Sequence, residues 1–320
     1  MPNLIDTFLD YIRTERDLSA HTARGYGADL LQFGQYLSVL DPLGGFDETL
    51  TADELSAREL PDDETLRTRV LGVLPADIRH YLAVLRNSHY SKSTVARKLA
   101  TLRSFYKYLV RVGLLEDSPV SVIRTPKQDR TLPKCLEVEQ VERLLAAPDS
   151  RTFLGSRDRA ILETIYAGGL RISELVGLNI EDLDRETCTA RVLGKGKKQR
   201  VVPLGRCAVE AIEHHLAMRN LRAEPLTTGP MFVNRSGKRI SDRSIRRKID
   251  KYMIEAEIPT HISPHTLRHC FATHMLNNGA DLRSVQELLG HENLATTQIY
   301  THLTTRKLQD VYQNAHPLAR

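Results

Sequence analysis

Apolar residues recur at helical spacing through most of the first 115 residues of this 320-residue chain, so helices are predicted there. Ser19 is the predicted N-cap of a periodic stretch reaching about Leu40. Pro75 suits the first turn of another helix, extending to about Arg86. The pattern is clearest after Ser91. At 100° per residue, Val95, Leu99, Leu102, Tyr106 and Leu109 fall in a stripe roughly 80° wide, and Gly113 closes the helix. Arg97, Lys107 and Arg111 lie on the other side, so one face packs and the other meets anions or water. Residues 41–74 break the period with Pro42, Gly44, Gly45 and Pro61, and are predicted to be mostly loop, an insertion in the helical domain.

Residues 116–134 hold three prolines, small polar residues and no helical period, which predicts an inter-domain linker. A second domain, 135–320, follows, with helices expected near 136–146 and 157–167. Two β-like runs, 187–193 and 199–204, flank Gly194-Lys195-Gly196-Lys197-Lys198, predicting a hairpin with a very basic tip. Helices are expected again near 207–222, 241–256, 264–277, 281–289, 294–300 and 304–314. In the last, Leu308, Val311 and Tyr312 make a small apolar face before His316-Pro317 stops the helix. A face that small cannot hold an isolated helix, so it needs a groove, on its own domain or on another protomer. No internal repeat or low-complexity tract is present. The expected class is mainly α, a helical N-terminal domain of residues 1–115 followed by an α+β domain with a small sheet.

Composition narrows the picture little: 41% hydrophobic and 27% charged residues allow a core and argue against wholesale disorder. No apolar run nears the roughly 18 residues that span a bilayer, and the first residues show no leader pattern. Four scattered cysteines without a C-x-x-C pair read as reduced and cytoplasmic. Charge distribution is more telling. The net charge is +5, yet residues 1–125 carry 15 bases and 17 acids, against 30 and 23 in 126–320. Nine acids and one base crowd 41–66, while 78–115 holds eight bases and no acid. Such segregation suits a polyanionic partner, although a short basic run also arises as a solvated helix face.

Three local signals could carry chemistry. The tip LGKGKKQR lacks the spacing of a nucleotide-binding glycine loop, so it is either an exposed basic turn or a lysine aimed at a phosphate. In SPHTLRHCFATH, Pro264 starts a helix that sets His265 and Arg268 about 60° apart, which suits a phosphate-binding pair. His265 and His269 could instead chelate a metal with Cys270 or His274, but no H-E-x-x-H is present. A core position is the simpler reading of His269 and His274. In LLGHENLATTQIYTH, Gly290 ends a helix, His291 sits at its exit and Tyr300 follows nine residues later. Alone, that tyrosine would read as half buried at the surface.

Taken in order, these blocks resemble the tyrosine site-specific recombinases, specifically the bacterial Xer subgroup. GGLRISELVGL, GKGKKQRVVPL, SPHTLRHCFATHMLNNGADLRSVQELLGH and TTQIYTHLT carry the likeness in the second half. LSAHTARGYGADLLQF and SKSTVARKLATLRSFYKYLVRVGLLEDSP carry it more loosely in the first, and the acidic stretch near 41–74 is longer than usual for the family. The resemblance implies a SAM-like core-binding domain, a catalytic domain, and Tyr300 as the nucleophile that forms a 3′-phosphotyrosyl link. It makes Arg171 and Arg268 phosphate clamps, with Lys195, His265 and His291 completing the pocket and Glu174 orienting Arg171 or a neighbouring histidine. No metal, nucleotide or other cofactor is required. Implied partners are double-stranded DNA, copies or a paralogue in a homo- or hetero-tetramer, and a cell-division DNA translocase, with chromosome-dimer resolution as the role. The tail helix would dock into a neighbouring protomer. DNA contacts are expected from Arg97, Lys107 and Arg111, and from Arg243, Arg246 and Arg247 in the basic segment 235–251, the two domains together clamping the duplex. Other readings of the same six polar residues are a mobile-element integrase, a type IB-like topoisomerase and a non-catalytic DNA-binding protein.

Overall fold

Side-chain caps start most of the helices in the N-terminal part of the molecule. The computed structural model describes residues 3–16, 20–40, 50–126, 135–194, 199–221, 227–259, 262–290 and 305–319. Two units divide the chain, Met1–Thr131 and Leu132–Arg320. The first contains α1 (Leu4–Thr14), α2 (Ala20–Ser38), α3 (Ala52–Ser56), α4 (Asp63–Leu71), α5 (Pro75–Asn87) and α6 (Lys92–Arg111). Asn3 Oδ1 accepts the Ile5 N–H at 2.9 Å, and Ser91 Oγ accepts the Thr94 N–H at 3.1 Å, each satisfying a donor the helix itself leaves open. All five residues of the stripe predicted on α6 are buried. They join Phe8, Phe33, Tyr81 and Phe105, whose rings meet edge to face at centroid distances of 5.3 Å (Phe8–Phe105) and 5.2 Å (Phe33–Tyr81). Each such side chain contributes about 1.5–3 kcal/mol by burial.

Two expectations change here. The described part of the acidic segment, from residue 50, is largely helical, because its acids serve as caps. Glu54 accepts the Thr51 N–H at 2.8 Å in a capping box, and Asp62 accepts the Glu64 and Thr65 N–H groups at 3.1 and 3.0 Å. Leu55, Leu66 and Val70 hold these helices on the core. The chain after α6 also stays with the first unit: Val120 and Ile123 are buried in its core, and Arg103 donates to the Ile123 carbonyl at 2.5 Å. Ser19, the segments 41–49 and 127–134, and the region 294–300 where a further helix is predicted lie outside the described residues.

The second unit contains α7 (Val138–Ala146), α8 (Phe153–Gly168), α9 (Ile172–Gly177), β1 (Leu183–Asp184), β2 (Thr189–Leu193), β3 (Gln199–Pro203), α10 (Gly205–Asn220), α11 (Asp242–Glu255), α12 (Pro264–Asn277), α13 (Leu282–Leu289) and α14 (Thr305–Ala315). The strands form one antiparallel sheet in the order β1-β2-β3, with Ala190 opposite Val202 and Val192 opposite Arg200. A mainly helical fold with one small sheet is the architecture that the periodicity predicts. The short α9 and β1 are additions. Helix α8 is buried almost all round, as befits a central helix. Its Asp158 accepts from Arg157 and, at 2.8 Å, from Tyr252 of α11, and pairs with Lys248 at 3.3 Å. This fixes α11 on the core while Arg243, Arg246 and Arg247 stay exposed. Among the described residues, no helix is long and apolar enough to cross a membrane.

The tail helix packs on its own unit, one of the two places the sequence leaves open. Tyr312 is fully buried within its own unit, together with Ala315 and Ala319, against Phe271, Met275, Val285, Leu288 and Leu289, and Leu308 and Val311 pack on the same cluster. Gly205, at φ +68°, makes room for it: a Cβ there would lie 2.8 Å from the Tyr312 hydroxyl. The apolar face thus packs in a groove of its own unit.

Candidate active site

Helix α8 stops at Gly169, whose φ of +54° is left-handed and where a Cβ would meet Phe271 at 2.6 Å. The chain turns directly into α9 with Arg171 as its N-cap. Glu174, three residues on, accepts the Arg171 backbone N–H at 2.8 Å with one oxygen and the Arg171 guanidinium at 2.8 Å with the other. Glu174 is therefore buried at a helix N-terminus, where a negative charge is favoured.

Two further arginines reach the same carboxylate. Arg268 comes from α12, which Ser263 caps and Pro264 begins, and lies 3.7 Å from Glu174 with its side chain 5% exposed. Arg200 comes from β3 and forks onto both oxygens at 2.7 and 3.0 Å. The end of α13 completes the arrangement. Arg268 donates to the carbonyls of Gly169 at 2.7 Å and Leu289 at 2.6 Å, Arg171 to Gly290 at 3.1 Å, and Arg200 to Leu288 at 3.3 Å. The Leu288, Leu289 and Gly290 carbonyls form the negative end of the α13 dipole and the Gly169 carbonyl lies at the end of α8, which suits guanidinium groups.

The electrostatics follow from this geometry. Burial pushes the Glu174 carboxyl up, but hydrogen bonds from Arg200 and the Arg171 N–H, with the Arg200 charge, bring it below the ordinary carboxylate value. Burial, reinforced by the Arg171 charge, pulls the Arg268 guanidinium down to about 10, which leaves it charged at neutral pH. Three guanidiniums around one carboxylate leave two net positive charges. Arg171, 41% exposed, is the most open of them.

The structure thus brings together Arg171, Arg268 and Glu174. His265 stands exposed on α12, in the turn preceding Arg268. Lys195, His291 and Tyr300 lie outside the described residues; Lys195 follows the end of β2, and His291 follows Gly290 directly. His274 is the satisfied core histidine expected. Its Nε2–H donates to the Leu136 carbonyl at 2.9 Å and its Nδ1 accepts from Tyr166 Oη at 2.7 Å, which leaves no lone pair for a metal. His269 departs from the core reading and is half-buried. Of the outlying bases, Lys107 is exposed, while Arg97 pairs with the buried Asp29 and Arg111 pairs with Glu15 at 3.3 Å over the Tyr11 ring.

Arg200 is the residue that sequence reasoning passed over. The signal was present: β3 alternates, and Arg200 shares its inward side with buried Val202. A charge on the inward face of a half-buried strand needs a partner, and Glu174 is that partner.

Comparison with known proteins gives a consistent picture. Residues 134–307 match the phage integrase family, and residues 5–57 and 67–113 match the N-terminal SAM-like domain of phage integrases. The tyrosine recombinase XerC of Myxococcus xanthus is 43% identical over 323 residues, covering 99% of this chain and 98% of its own. The tyrosine recombinase XerD of Listeria innocua is 41% identical over 321 residues, covering all of both chains. Among solved structures, the XerH recombinase bound to its difH substrate aligns with a TM-score of 0.63 at 21% identity, over 98% of this chain and 82% of that one. A lambda integrase dimer bound to a core site aligns with a TM-score of 0.64 at 14% identity, over 94% and 98%, a likeness of fold.

Proposed function

The chain belongs to the phage integrase family, as an Xer-type tyrosine recombinase that breaks and rejoins DNA strands, and we propose that it resolves chromosome dimers at cell division by recombining a fixed site on duplex DNA. The observation that supports the cleavage chemistry most is the convergence of Arg171 and Arg268 on one buried carboxylate, beside the helix end that leads into His291, while likeness over the whole chain to XerC- and XerD-named relatives supports the role.

In the proposed mechanism, the Tyr300 oxygen attacks the scissile phosphorus. A 3′-phosphotyrosyl bond forms as the bond to the 5′ oxygen breaks. An unperturbed tyrosine, with pKa near 10, is ionised about one part in a thousand at pH 7, a deficit of about 4 kcal/mol. His265 lowers that deficit by taking the phenolic proton, and the positive charges of Arg171 and Arg268 favour the phenolate. Lys195 returns a proton to the leaving 5′ oxygen. Arg171 and Arg268 hold the non-bridging oxygens, where negative charge grows, and His291 adds a hydrogen bond. Because the covalent link keeps the energy of the bond broken, a second 5′-hydroxyl reseals the strand without a nucleotide cofactor.

Lys107 with Arg97 and Arg111 on α6, and Arg243, Arg246 and Arg247 at i, i+3 and i+4 on α11, would contact the duplex. In this proposal the protein acts in the cytoplasm as a tetramer of its own copies or with a paralogue, under a DNA translocase, as the resemblance to the Xer subgroup implies. Selection of bound sites from random DNA, followed by a search of the host chromosome, tests the role. A single match near the replication terminus is expected. Matches confined to mobile elements would overturn dimer resolution in favour of element integration.

A further inference from the structure

We propose that Arg200 is a positioning residue of the cleavage reaction, acting through Glu174 on Arg171 and Arg268. The inference rests on the reading that those two arginines hold the scissile phosphate. Each of the three nitrogens of the Arg200 guanidinium donates within the protein, two to Glu174 at 2.7 and 3.0 Å and Nε to the Leu288 carbonyl at 3.3 Å. Its side chain is 17% exposed. It is thus aimed at the carboxylate and the helix end rather than at a substrate. Its backbone belongs to β3, five residues after Lys195, and its guanidinium lies against Gly290, directly before His291. A Cβ on Gly290 would sit 3.1 Å from Arg200 Nε, and the φ there is +63°. Arg200 therefore ties the hairpin that carries Lys195, the carboxylate that carries Arg171, and the helix end that leads to His291.

Removing this tie has two physical consequences. Glu174 would lose its bidentate partner, and Arg171, the most exposed of the three arginines, could swing to take both oxygens. That pairing turns its guanidinium away from a phosphate. The local charge would also fall by one. The doubly negative pentacoordinate transition state loses more stabilisation from that change than the singly charged phosphodiester does. The loss should therefore fall on the chemical step and not on binding.

Single-turnover cleavage of a nicked suicide duplex, measured beside site affinity and thermal unfolding, tests the proposal in Arg200→Ala, Arg200→Lys, Glu174→Gln and the Arg200→Ala/Glu174→Gln pair. Arg200→Ala should cleave roughly 100-fold more slowly, the effect of misplacing a reacting group by about 1 Å, at unchanged affinity. Arg200→Lys should fall between it and the wild type, since an ammonium restores charge without the fork. The double variant should cleave no more slowly than the slower single variant, because both changes remove one tie. Wild-type cleavage by Arg200→Ala, or losses that multiply in the double variant, would overturn the proposal. Should Arg200→Ala fail to fold, Arg200→Lys decides: slower cleavage at unchanged affinity supports the tie, and the wild-type rate rejects it. An Arg171→Ala arm separates the levels. If that variant cleaves normally, the clamp reading itself has failed; if it is inactive while Arg200→Ala cleaves normally, only the role of Arg200 has.

Discussion

Replacing Glu174 with Gln changes one buried oxygen to a nitrogen and removes the negative charge at the centre of three arginines. The magnitude can be worked from the geometry. Removing one partner of a buried ion pair leaves the other charge uncompensated, at about 3–5 kcal/mol. Arg268, 5% exposed, and Arg200, 17% exposed, bear that penalty, whereas Arg171, 41% exposed, regains solvation and contributes little. The carbonyls of Gly169 and Leu289 still accept from Arg268. The lower end, about 3 kcal/mol, is therefore expected, which for a unit of this size corresponds to a fall in melting temperature of roughly 6–12 °C. The pH dependence identifies the cause. Glu174 is held below its ordinary value in the folded protein, so its stabilisation is fully present above the unfolded value near 4.3 and is lost as pH falls through the lower folded value. Calorimetry of both proteins between pH 8 and pH 3.5 should show a constant gap down to about pH 5 and a narrowing gap below it. Equal melting temperatures at neutral pH, or a gap that does not narrow in acid, would refute the reasoning.

Three further outcomes are expected. Tyr312→Ala empties a fully buried site beside Phe271 and Leu289 and should destabilise the isolated protomer by about 3–5 kcal/mol, as for other large aromatic truncations; an unaffected protomer would return the tail helix to a partner molecule. Replacing Arg243, Arg246 and Arg247 with Ala should weaken binding to all sequences and make its salt dependence shallower by about 0.9 in log–log slope for each phosphate no longer neutralised, measured by titration at several salt concentrations; an unchanged slope would remove α11 from the DNA surface. Cleavage should proceed in excess EDTA without ATP, because guanidinium and ammonium groups supply the positive charge; an absolute need for a divalent ion would reject that mechanism.

What could be read before the structure was what local physics decides. Helix α6 was legible end to end, since its cap at Ser91, its apolar stripe and Gly113 lie within one continuous stretch. Helices α3 and α4 were not, because acids at caps and first turns resemble the acids of a loop; Leu55, Leu66 and Val70 were the overlooked signal. The tail helix shows the opposite limit. Its apolar face was plain, but the groove that receives it is assembled from α12, α13 and Gly205, brought together only by the fold. Within the candidate site, Arg171 and Arg268 announce themselves by motif, as does Glu174 one turn after Arg171. Arg200 does not, since its role depends on a strand face that meets a helix start 26 residues away.

The central claim is that Tyr300 forms the covalent bond to DNA. Tyr300→Phe removes one oxygen and retains the ring. On a nicked suicide duplex containing the selected site, the wild-type protein should accumulate a 3′-linked protein–DNA adduct that survives denaturation, and the variant should bind the duplex with unchanged affinity and form none. An adduct formed by the variant at the wild-type rate would contradict the account.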